Sequence, residues 1–192
     1  MNLRESIAGA AVVALAVAAC DSSDPFAATL PTVADSYTIF ALSGTPPAYP
    51  SGLNTVARAA TRVDGNANFD VAFDINADGN VVLYPVKLVV SSLAGDRPVG
   101  LKKLDASFDS VTSAPTGTYQ TDSAIVAGRG QVIVVEANRG GPGDICSFNI
   151  SFNIYSKILI DSVDVASRTI SIKTVMDPNC GFRSFAAGIP AK

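Results

Sequence analysis

In Asp74-Ile75-Asn76-Ala77-Asp78-Gly79 an oxygen-bearing side chain recurs at every second position before a glycine, a spacing that gathers hard donors around a hard cation such as calcium. A second pair of carboxylates, Asp161 and Asp164, has the residue types that hydrolysis of a glycosidic bond uses as acid and base. Three cysteines, Cys20, Cys146 and Cys180, bring thiol chemistry. The chain has no histidine, so Ser-His-Asp and Cys-His arrangements cannot form, and a zinc site lacks ligands. No Gly-x-Ser-x-Gly elbow and no Walker loop occurs, and Gly128-Arg129-Gly130 lacks the third glycine of a dinucleotide fingerprint.

The acidic run resembles the first half of an EF-hand loop over six residues. It departs where the cation would be closed in: Pro85 stands where the loop needs a bidentate glutamate, and a strand pattern precedes it instead of a helix. Asp and Asn tolerate left-handed backbone angles and Gly prefers them, so 76–80 reads as a hairpin turn. No metal is assigned; Asp74, Asn76 and Asp78 are the weak candidates. Asp161 and Asp164 read as solvent-side residues at a strand bend. The expectation is a non-enzyme with no catalytic residue and no cofactor. A net charge of −3, with Lys102-Lys103 the one adjacent basic pair, gives no nucleic-acid footprint.

Cys20 has a context of its own. A short stretch with Arg4 leads into Ile7 to Ala19, which is uncharged and mostly Ala, Val and Leu. As a helix it would span about 20 Å, short of the roughly 30 Å hydrocarbon core, and it has no polar face. It suits the apolar part of a signal peptide. Its end, Val17-Ala18-Ala19-Cys20, resembles the lipobox of bacterial lipoproteins. The resemblance implies removal of residues 1–19, diacylglycerol on the Cys20 sulfur and an acyl chain on the new amino terminus. It places the chain in the cell envelope outside the cytoplasm, at the inner or the outer membrane. Cys146 and Cys180 are then two cysteines in an oxidising compartment, where pairing is the rule.

Residues 20–35 read as the lipidated cysteine and a tether, and 36–192 as a single domain. The period in that domain is two. Phe69, Val71, Phe73 and Ile75 alternate with Asn68, Asp70, Ala72 and Asp74, and Val81 to Val90 follows the turn as a second strand, with Pro85 marking an edge or bulge. Phe148, Ile150, Phe152, Ile154, Ile158 and Ile160 share one face, opposite Ser147, Asn149, Ser151, Asn153 and Lys157. Val163 and Val165 change phase, which predicts a bulge near Asp161-Ser162. A turn at 166–168 leads to a strand over 169–175, and 36–42, 101–108 and 131–136 are further strands; 53–63 fits a strand or a short helix. Phe69, Phe73, Phe148 and Phe152 are expected in the core.

About eight strands between Gly, Pro, Asp and Asn clusters predict an all-β antiparallel sandwich or barrel. The expected role is a membrane-anchored binding or scaffolding domain for an envelope protein or ligand. A small apolar-ligand carrier with a barrel cavity is the alternative, followed by a carboxylate-dependent hydrolase.

Overall fold

The computed structural model describes residues 26–64, 66, 68–90 and 97–191. Residues 1–19, expected to be a signal peptide, and Cys20 lie outside them. Among the described residues ten strands and one helical turn follow in order: β1 (Val33–Phe40), β2 (Gly52–Asn54), β3 (Ala59–Thr61), β4 (Val71–Ile75), β5 (Val81–Pro85), α1 (Val86–Val89), β6 (Val99–Leu104), β7 (Ile125–Ala127), β8 (Val132–Asn138), β9 (Asn153–Asp164) and β10 (Thr169–Asp177). They form two antiparallel sheets of five strands, ordered β1-β10-β9-β8-β6 and β3-β2-β4-β5-β7. Ile39, Ile133, Val135, Ile158, Ile160, Ile170 and Ile172 of the first sheet meet Leu53, Val71, Phe73, Ile75, Val81 and Leu83 of the second in one buried core. The all-β class is as the period-two patterns predict, and the two sheets pack as a sandwich.

The hairpin between β4 and β5 closes on Asn76, which accepts hydrogen bonds from the Asp78 and Asn80 amides through Oδ1 at 3.1 and 2.9 Å. Gly79 sits at φ +78°, an angle that residues with a Cβ avoid, so this position calls for glycine. The predicted bulge is present. Ser162 pairs with Ser171 and Ile160 with Ile172, which leaves Asp161 as the extra residue between them. The 53–63 stretch resolves into β2 and β3, paired with each other. The Val81–Val90 run does not continue as one strand: β7 pairs only with Val81–Leu83, and past Pro85 the chain turns helically.

Three expectations are corrected. The strand predicted from Phe148 begins only at Asn153, and Phe148 and Phe152 are not core. Phe148 is 96% exposed, Ile150 75% and Phe152 45%. Lys157, placed by the alternation on the polar face, is buried. The outer face of β8 and β9 is covered by a second cluster in which Val132, Val134 and Tyr155 pack against Val111, Ala114, Tyr119 and Phe185. Beneath this cover Lys157 Nζ donates to the carbonyls of Phe108 and Val111 at 2.5 and 2.9 Å, so its charge has polar partners although desolvation lowers its pKa. Finally, the tether does not extend to residue 35: β1 starts at Val33, and residues 29–32 are already tied to the C-terminal segment.

Candidate functional site at the disulfide end of the sandwich

β8 and β9 end together at the pair Asn138 and Asn153. Among the described residues no strand continues the ladder past this pair, and 140–152 satisfies much of its backbone locally. Asp144 N donates to Gly141 O, Ser147 N to Asp144 O and Asn149 N to Cys146 O, a succession of turns. The base of this loop is fastened by Arg139 N donating to Phe152 O at 2.6 Å and Cys146 N donating to Arg139 O at 3.0 Å.

Cys146, fully buried in the loop, is bonded to Cys180, with Cα atoms 5.7 Å apart. The disulfide expected from the cysteine count is therefore present. It joins the loop to the segment that leaves β10. Gly181 follows at φ +82°, and a Cβ there would lie 2.5 Å from the Cβ of Ser151; both the angle and the contact demand glycine. Its amide donates to Asn153 O at 2.8 Å.

Asn179 draws the N-terminal segment to the same end. Its Oδ1 accepts from the amides of Thr29 and Leu30 at 2.9 and 3.1 Å, and its Nδ2 donates to Leu30 O at 2.8 Å and Asp177 Oδ1 at 2.8 Å. Asp177 is fully buried. Loss of hydration raises its pKa above the ordinary 3.8, against the opposing pull of Asn179 and the Ser184 amide. The native state therefore holds this proton more tightly than the unfolded chain. The resulting stabilisation is complete below 3.8 and is lost as pH rises through the folded-state value. Asp177→Asn, which cannot ionise, is expected to gain stability on the wild type as pH rises above 3.8, seen as a diverging pair of urea midpoints. Parallel pH profiles for the two proteins would refute this.

Beneath the loop lies a buried ionic brace. Asp70 is wholly inaccessible and accepts from Thr55 N at 2.7 Å, Thr55 Oγ1 at 2.6 Å and Arg139 Nη2 at 2.5 Å, with Arg97 Nη2 at 3.6 Å. Asp144 lies 3.9 Å from Arg139 Nη1. Two carboxylates face two guanidiniums, so the group is self-neutralising and locks loop, β4 and β8 in one arrangement. A cleft of about 420 Å³ beside it is lined by Asn54, Asn68, Arg97, Arg139 and Asp144.

The residues singled out by chemistry are engaged elsewhere. Asp74 accepts from Ser43 Oγ at 2.6 Å and Arg168 Nη2 at 2.8 Å. Its carboxylate thus links the β4 end to the turn before β10. The Asn76 oxygen is taken by the hairpin amides. Asp161 pairs with Lys173 at 3.0 Å, and Asp164 accepts from the Ala166 and Ser167 amides at 2.9 and 3.1 Å. Those bonds from Ser167 hold the Asp164 carboxyl below its usual range. Lys102 and Lys103 line a separate cleft of about 530 Å³, with Thr118 and Gln120, along the β6 and β7 edges.

Sequence reasoning missed the Asp70–Arg139 pair and the role of Asn179. Asp70 alternates with inward apolar residues and reads as a solvent-side position. The one available signal is Arg139, a charge placed between the end of β8 at Asn138 and a Gly-Gly loop.

No family model, no curated protein and no solved structure matches this chain.

Proposed function

We propose that the chain is an envelope lipoprotein, held to a membrane by acyl chains on Cys20, whose β-sandwich binds or scaffolds a partner without turning over a substrate. The observation that carries this reading is the disposition of the cysteines. Cys146 and Cys180 are bonded to each other. A structural disulfide in a domain of this kind is maintained in oxidising compartments. That leaves Cys20 as the odd cysteine, directly after a short apolar segment and two small residues, where a lipoprotein signal peptide would end. The non-enzymatic part is supported by the engagement of Asp70, Asp74, Asp161 and Asp164 with cations or backbone amides of the chain itself. Two or more acyl chains give stable anchoring, at roughly 0.8 kcal/mol per buried methylene.

Mass spectrometry of the protein from the membrane fraction tests the anchor. The expected amino terminus is Cys20 carrying diacylglycerol, with residues 1–19 removed. Cys20→Ser should block lipidation and accumulate the uncleaved precursor, while the domain still folds. A wild-type protein that retains residues 1–19, or an unmodified Cys20, would sink the anchor. Partners co-isolated with the detergent-solubilised protein test the binding role, and robust turnover by the isolated protein would overturn it.

A further inference from the structure

Resting on the lipid-anchor reading, we propose that the disulfide-held loop 140–152 is a second membrane contact, whose Ile145, Phe148 and Ile150 enter the interfacial layer of the bilayer that holds the acylated Cys20.

Single exposed apolar residues are ordinary on a protein surface. Here Ile145, Phe148, Ile150 and Phe152 stand 54, 96, 75 and 45% exposed on one short loop. A cluster of this kind marks an interaction site. The loop is tied down by Cys146–Cys180 and by its own turn bonds, so its shape is set before contact and little order remains to be gained on binding. Those same bonds answer several of the loop's amides internally, which a segment entering an apolar layer requires.

The occupant follows from where the chain leads. Phe26, Ile150, Cys180, Gly181 and Phe182 line one cleft of about 250 Å³. From Phe26 back to Cys20 is six residues. Fully extended, such a segment reaches at most about 20 Å. An anchor on Cys20 therefore holds this end of the sandwich, and no other, against the bilayer. Leu30, 52% exposed and fixed by Asn179, lies on the same N-terminal segment. Residues 140–152 include Asp144 and neither Lys nor Arg, so the contact is apolar and needs no anionic lipid.

The chain has no tryptophan, so Phe148→Trp places a single indole at the loop, excited selectively over the five tyrosines at the red edge of its absorption. Val165→Trp, in the turn at the other end of β9, is the control. A strand of that length carries it about 35–40 Å away. Each full-length protein, acylated and reconstituted in phosphatidylcholine vesicles with and without brominated acyl chains, is read by emission. The expected result is a blue shift and loss of emission by bromolipid for Phe148→Trp, unchanged at high salt, with Val165→Trp left water-exposed and unquenched. Absence of quenching at 148, or equal quenching at both positions, would overturn the loop contact. So would a concentration-dependent blue shift without lipid quenching, which would assign the loop to a second copy or a protein partner. The mass of the Cys20 peptide from the same samples judges the anchor separately. Acylated Cys20 with an unquenched loop leaves the anchor standing and removes this proposal; unmodified Cys20 removes the anchor, and the emission still reports whether the loop enters lipid.

Discussion

Asp70→Ala is expected to destabilise the domain by about 3–5 kcal/mol, the cost of breaking a buried ion pair by removing one partner. The carboxylate is fully buried, and Arg139, whose side chain is 5% exposed, stays behind with its charge uncompensated at that position. The Thr55 amide and hydroxyl lose their acceptor at the same time. Asp144 stays on the other nitrogen, Nη1, at 3.9 Å and partly exposed, so it does not replace the acceptor lost at Nη2. Arg139→Met alone strands the Asp70 charge with Arg97 at 3.6 Å and should cost less. The double variant should recover a substantial part of the loss, because Arg139 Nε is buried with no hydrogen-bond partner among the described residues and the native pair is not fully satisfied. Urea denaturation of the three variants closes a double-mutant cycle. An Asp70→Ala midpoint equal to that of the wild type would show that the pair does not hold the loop base to β4.

Removing the disulfide is the second large effect. The two cysteines are 34 residues apart. In the chain-entropy model a crosslink of that span destabilises the unfolded chain by about 3–4 kcal/mol, and Cys146→Ala with Cys180→Ala should lose stability of that order. The loss should also be local. The loop is then held by Arg139 N to Phe152 O, by the Gly181 amide and by short-range turn bonds, while the strand ladders are untouched. Limited proteolysis should therefore cut within 140–152 at denaturant concentrations where the rest of the domain is intact. Uniform protection up to the global transition would show that the bridge is not what orders the loop.

Several features were legible because their causes are local. Alternation over Phe69–Ile75 follows from the geometry of a strand with one apolar face. The hairpin at 76–80 was written in residue types that accept left-handed angles, and Gly79 adopts one. The phase change after Ile160 is a bulge because inward side chains must be re-aimed when one residue is inserted, and Asp161 is that residue. The disulfide followed from counting cysteines once Cys20 had been set aside.

The error at Phe148–Phe152 shows where local pattern stops informing. Alternation there is as regular as in the strand that follows, yet a strand needs a ladder partner. β8 ends opposite Asn153 and β10 opposite Tyr155, so among the described residues no strand continues the ladder along 148–152 beyond the single Arg139 N to Phe152 O bond, and Phe148, Ile150 and Phe152 are exposed. Lys157 failed for the complementary reason. A polar residue on the expected solvent face was covered by a segment some fifty positions away in the chain, whose carbonyls it meets.

By itself, then, the sequence determined the all-β class, the two turns and the bulge, and the pairing of Cys146 with Cys180, since each depends on residue type, spacing or count. Only the tertiary structure decided that there are two packed sheets, that Asp70 meets Arg139 across 69 positions, that Asn179 draws residues 29 and 30 to the disulfide end, and that the apolar stretch beside Cys146 is exposed. Those facts depend on which strand ends beside which, and a ladder's end is a property of two segments together, which neither carries alone.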